Sequence, residues 1–280
     1  MLFNSRWLPL LAGLLLSAQA SAALAQKPSP SGAASKAGPV TVQQILDGKQ
    51  LYIEGKQAVV KQQAKVPEAI KTLQSRGQLG FSSGAVARIN RFSSMKLGSS
   101  CFLLEQGQIL VSGPQNGCTR SSRLSVRGTN YVMQVDAAGQ SQIAVLEGVV
   151  ELQALRDGAP IASMLPILVK AGQQAQLDPQ GVMAALSELK RSDYERYMSG
   201  PLFAGFQRAL PYLPALIEYV LRTYPGLRIP PALLQQAAAL NALPKAKAPL
   251  QPPLQQQPQP QARPQPQQQQ EPPQTPTLAF

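Results

Sequence analysis

Two cysteines, 14 carboxylates and 26 lysines and arginines are the groups in this 280-residue chain that could do chemistry, and no histidine stands among them. That absence excludes a Ser-His-Asp triad, a Cys-His dyad, a histidine-ligated zinc and a histidine pH switch. Two cysteines are too few for a Cys₄ zinc site or an iron–sulfur cluster, so neither a metal nor a cofactor is expected. Cys101 and Cys118 have no histidine to activate them and form no C-x-x-C pair, which leaves them structural. Bonded to each other they would close a 16-residue loop and stabilise the fold by about 3 kcal/mol; two separate buried thiols are the alternative.

The carboxylates do not pair convincingly. Glu147 and Glu151 stand four apart across a glycine turn, while Glu188, Asp193 and Glu195 alternate with Lys190, Arg191 and Arg196 as an exposed, ion-paired helix face would. No catalytic residue is assigned, and a carboxylate-dependent hydrolase is the competing reading. The cations are in excess, with a net charge of +12 overall and 13 basic against 8 acidic residues over 41–160. They concentrate at Arg88, Arg91 and Lys96 and again at Arg120, Arg123 and Arg127. The second group is the candidate binding surface, suited to an acidic envelope protein, lipid headgroups or an anionic polysaccharide. A solvated basic face that merely confers solubility would look the same. Nucleic acid is not expected, because no aromatics interleave with the basic residues.

The elements that would position these groups lie between two low-complexity ends. Arg6, the apolar run Trp7–Leu16 and the small-residue site Ala23-Leu24-Ala25 read as a signal peptide over 1–25. Its apolar run is far below the roughly 20 residues of a membrane span. Export would place the chain in the periplasm or outside the cell, where cysteines oxidise. Residues 26–40 read as a flexible spacer. Residues 244–280, with 11 prolines and 12 glutamines, read as a disordered tail; tethering to the envelope and display of a proline motif are its two candidate roles. No transmembrane span is expected elsewhere.

Over 41–177 short apolar runs recur every 8–12 residues between glycine turns, which predicts a mainly β fold, an antiparallel sandwich or jelly-roll-like domain. Hairpins are expected at Glu54-Gly55, Ser82-Ser83-Gly84, Gln106-Gly107 and Glu147-Gly148. Residues 178–243 change period and predict a helical appendage, with helices over Gln180–Ser199, Leu213–Tyr224 and Pro231–Leu243.

The most specific stretch is Arg123–Leu152. Leu124 and Val126 keep one parity and Tyr131, Met133 and Val135 the other, so Gly128 is expected to sit in a bulge, flanked by Arg127 and Thr129 facing away from the Leu124 side. Val126-Arg127-Gly128-Thr129, followed by Val145-Leu146-Glu147-Gly148-Val149-Val150-Glu151, resembles the signature of the FecR domain, the periplasmic module of iron-dicitrate-type regulators. Ser75-Arg76-Gly77-Gln78-Leu79 and Gly84–Ile89 resemble that family's opening strands, and Asn116-Gly117-Cys118 and Gly200–Phe206 resemble its cyanobacterial members. The resemblance covers roughly residues 50–175. It implies a β-rich envelope module that contacts a partner or ligand, with Val126, Arg127, Gly128, Thr129, Glu147 and Gly148 as structural motif residues and no catalytic residues to transfer. With a leader at the start and no internal span, no cytoplasmic anti-sigma region like the family's is expected, so that activity is not implied. The expected function is an exported, non-catalytic binding module, sensory or regulatory in role; a structural envelope protein held by its Pro/Gln tail is the alternative.

Overall fold

The computed structural model describes residues 38–242. The expected leader, most of the spacer and the Pro/Gln tail lie outside the described residues. Val40, assigned to the spacer, is already buried in the first strand.

The chain enters as β1 (Val40–Leu46), turns at Asp47-Gly48 into β2 (Leu51–Ile53), and folds back through Glu54-Gly55 as β3 (Lys56–Gln57). Then follow β4 (Gln63–Ala64), β5 (Ala69–Thr72), β6 (Arg76–Phe81), β7 (Val86–Ile89), β8 (Ser94–Leu97) and the 12-residue β9 (Phe102–Gly113). The second half comprises β10 (Gly117–Cys118), β11 (Ser122–Val126), β12 (Thr129–Val135), β13 (Ser141–Glu147), β14 (Val149–Arg156), β15 (Ala159–Pro160), β16 (Ile167–Lys170), β17 (Gln173–Leu177) and β18 (Met183–Glu188). Three helices close the described chain: α1 (Arg191–Ser199), α2 (Leu213–Thr223) and α3 (Pro231–Ala242).

Backbone pairing sorts the strands into two sheets, apart from the two-residue β15, which pairs only with the end of β14. The first runs β4-β1-β6-β7-β9-β12-β13-β17-β18. The second runs β3-β2-β5-β8-β9-β10-β11-β14-β16, antiparallel except for the β9–β10 pair. Strand β9 belongs to both: Phe102–Gln106 pairs in the second sheet and Gly107–Gly113 in the first. The fold is therefore a mainly β sandwich with a helical segment, as the strand spacing predicts.

Leu51, Ile70, Leu79, Met95, Leu104, Ile109, Tyr131 and Val145 fill the space between the sheets. A second core lies outside the first sheet, where Leu110, Val132, Ala144 and Leu146 are covered by Leu202, Phe203, Leu213, Leu216 and Val220. The molecule thus has three layers, and the central strands β9, β12 and β13 of the first sheet are buried on both faces. This explains why β12 and β13 read as near-continuous apolar runs rather than alternating ones. Each large side chain removed from water here contributes roughly 1.5–3 kcal/mol, so the helices are a layer of the fold rather than an independent unit.

Several expectations need correction. Gln106-Gly107 is not a hairpin turn; it is the point at which one continuous strand passes between sheets. Glu147-Gly148 is not one either, for β13 and β14 pair with different partners in different sheets. Gly128 does not bulge a single strand but joins β11 of the second sheet to β12 of the first, at φ +63°. The glycine is required for its positive φ, as expected, yet the chain uses it to change layers. Residues 183–188 form β18, not the first half of a helix. Met183 and Ala185 alternate inward against β17, and the helix starts only at Arg191.

Candidate functional site

The motif residues converge on two adjoining corners. Asn130 lies opposite Glu147 in register, and its Nδ2 donates to Glu147 Oε2 at 2.9 Å and to the Tyr212 carbonyl at 2.9 Å. Gly148, at φ +90°, leaves room only for the Thr129 side chain, and the Tyr212 ring closes over Gly128. Val126 and Thr129 are buried, so Thr129 does not share the solvent face of Arg127 as the bulge reading required; only Arg127 is exposed. Burial raises the Glu147 carboxyl above its ordinary range, and the Asn130 amide partly opposes that rise. The corner fixes layer geometry.

Two arginines of the resembling opening strands prove structural as well. Arg88, grouped in the sequence with surface Arg91 and Lys96, is fully buried. The helical layer covers its side of β7. Its Nε donates to Gln78 Oε1 at 2.9 Å, Nη1 to the Leu202 carbonyl at 3.1 Å and Nη2 to the Arg208 carbonyl at 2.8 Å. Its guanidinium lies 4.4 Å from the centre of the Phe206 ring. Burial first, and positive Arg76 second, push it down to about 9, so it stays charged at neutral pH with carbonyl dipoles instead of a carboxylate around it. Arg76 grips Asp47 in two bonds, at 2.5 and 3.1 Å, and donates to the carbonyls of Pro201 and Ala204. The two guanidiniums together clamp the segment 201–208 onto the first sheet.

The outer face of the second sheet has no helical cover. Strand alternation aims Lys71 on β5, Lys96 on β8, Arg123 on β11, Glu151 on β14 and Lys170 on β16 outward, because Ile70, Met95, Leu124, Val150 and Val169 point inward. Lys96, Leu103, Cys118, Arg123 and Gln153 form one cross-strand row. Three strand spacings separate Lys96 from Arg123, about 14 Å. Lys71 lies diagonally beside Lys96, and Arg127 is exposed at the far end of β11. Glu105 and Glu151 are the carboxylates aimed outward from these strands, and Glu105 is already bonded by Ser94 Oγ at 2.8 Å.

Arg120, Arg123 and Arg127 therefore belong to this face or its rim, with Arg120 and Arg127 exposed. Arg123 is half-buried, and its Nε is shut off from water without an acceptor among the described residues. Cys101 and Cys118 are bonded, with Cα atoms 5.8 Å apart, and staple the start of β9 to β10 beside the row. The sequence reading missed Lys71, Lys96 and Lys170 as part of the surface. The alternation of Ala-Ile-Lys-Thr and Ser-Met-Lys-Leu was the signal that could have found the first two. Among the described residues no group of three His, Cys, Asp or Glu could hold a metal, and no helix is long and apolar enough to cross a membrane.

No family model matches the chain and no curated protein matches it, so the FecR resemblance rests on its motifs. Two crystal structures of a candidate anti-sigma factor from Parabacteroides distasonis, at 1.65 and 2.50 Å resolution, are similar to it. They share 14% and 16% identity, over 56% and 55% of this chain and 74% and 71% of theirs, with TM-scores of 0.39 and 0.38.

Proposed function

We propose that the chain is an exported, non-catalytic binding module of the cell envelope that engages an acidic partner through the open face of its second sheet. The observation that carries this reading is an asymmetry of cover: the helical layer packs on the central strands of the first sheet, and no helix packs on the outer face of the second. That face carries Lys71, Lys96, Arg123 and Lys170 against Glu105 and Glu151 on its strands, with Arg127 at its rim. Such a field attracts polyanions from a distance and weakens as salt is added. The apolar leader and the bonded cysteines support export.

The test is capture of the partner from envelope extracts, an acidic protein or an anionic polysaccharide. Binding should fall steeply with salt and be lost when Lys96, Arg123 and Arg127 are changed to Glu. Undiminished binding by such a variant with an unchanged thermal melt would remove this face from the function.

A further inference from the structure

A separate cleft lies on the first sheet, on the opposite side of the sandwich. Its volume is about 430 Å³, within the roughly 300–1,000 Å³ of small-molecule sites. Gln63, Thr41, Gly80 and Val86 lie side by side on β4, β1, β6 and β7 and make its floor. Ser82, Lys61 and Arg208 stand around it, and no carboxylate lines it among the described residues.

The polarity of this floor is dictated from beneath. A guanidinium can only donate. Arg88 Nε therefore fixes Gln78 with its carbonyl toward the arginine, and Gln78 Nε2 must face the other way, where it donates to Gln43 Oε1 at 3.0 Å. The Gln43 amide is thereby oriented with its NH₂ over Gly80, where any side chain would collide with it. A relay that begins at a buried cation thus ends as a donor presented to the cleft.

The two cations at the mouth are held by their backbones and not through their charges. Arg208 N–H donates to Gln44 Oε1 at 3.1 Å and its carbonyl accepts from Arg88. Lys61 sits at φ +74°, uncommon for a lysine, with its N–H bonded to the Val42 carbonyl at 2.7 Å. Neither side chain makes an ion pair among the described residues.

We infer that this cleft binds a small hydroxylated carboxylate, a sugar acid. The carboxylate would sit between Lys61, Arg208 and the Gln43 amide, and its hydroxyls would meet Thr41, Gln63 and Ser82. The inference does not depend on the basic face of the second sheet.

Calorimetric titration of the full chain with glucuronate tests it, with glucose and sulfate as comparison probes. Saturable glucuronate binding is expected, weakened on the order of tenfold or more by Gln43→Glu, by Arg208→Gln and by Lys61→Asn. Gln43→Glu keeps the shape and puts a carboxylate oxygen where the donor was; Lys61→Asn suits the positive φ. The two mouth variants change exposed side chains, so they decide the matter if Gln43→Glu alters the melt. Absence of saturable binding, indifference to the mouth variants, or equal affinity for glucose or sulfate would each overturn the assignment.

Discussion

Arg88 shows how a single side chain organises its surroundings. Arg88→Lys puts a single amine in the same buried place, which cannot reach Gln78 and two carbonyls at once or stack on Phe206. Losing two of these bonds at roughly 1–3 kcal/mol each should lower stability by about 2–6 kcal/mol, read as the urea midpoint. Glu147 gives a pH signature. Its folded carboxyl is raised above the ordinary 4.5, so its contribution is fully present below pH 4.5 and is lost as pH rises through the folded value. Glu147→Gln keeps an acceptor for Asn130 and should therefore stabilise the fold at pH 7, with the gain vanishing below about pH 4.5 in melts across that range. Neither role was legible in the sequence. Arginine and glutamate are mostly solvated, and only the third layer, invisible to strand periodicity, puts these two under cover. The helix pairs Arg191–Glu195 and Asp193–Arg196 were legible from local spacing, whereas Glu188, expected on the same face, ends β18 and accepts from Gln173 Nε2 at 2.9 Å.

Elements are joined here by glycines whose local signals look alike and whose structural tasks differ. Glu54-Gly55 and Glu147-Gly148 are the same dipeptide with the same positive φ at glycine, +72° and +90°. One closes a hairpin into open space; the other turns the chain from one sheet to the other against Thr129. Adjacent apolar runs were therefore readable as strands, while which strand pairs with which was not, since pairing is decided by distant partners. The same ambiguity placed a helix over residues 183–188, where five or six residues satisfy both periods. Gly55→Ala should cost about 1 kcal/mol from backbone strain. Gly148→Ala should cost about 2 kcal/mol more, because Thr129 must also move. Gly128→Val, against the Tyr212 ring, should be at least as damaging. Parallel thermal melts rank the three, and equal shifts for Gly55 and Gly148 would contradict the corner.

At the scale of the molecule, the sandwich and the net basic surface were foreseeable from strand spacing and charge counts. The three-layer stack was not, because an apolar helix face does not announce which surface it covers. A chain ending after Leu189 would leave Leu110, Val132, Ala144 and Leu146 bare, and it should aggregate in size-exclusion chromatography where the longer chain elutes as a discrete species. Removing the disulfide with a Cys101→Ser, Cys118→Ser pair should cost about 3 kcal/mol and leave the circular dichroism of the folded state unchanged. The passage of β9 through both sheets has a consequence for how the protein comes apart. A sandwich whose sheets meet only through side chains can lose one before the other, but here a single ribbon of backbone is woven into each. Amide protons of Leu104 and of Val111, seven residues apart and in different sheets, should then exchange with deuterium through one shared opening event. Their exchange free energies should coincide and respond together to denaturant, so that the unfolding unit is the whole sandwich and not either sheet.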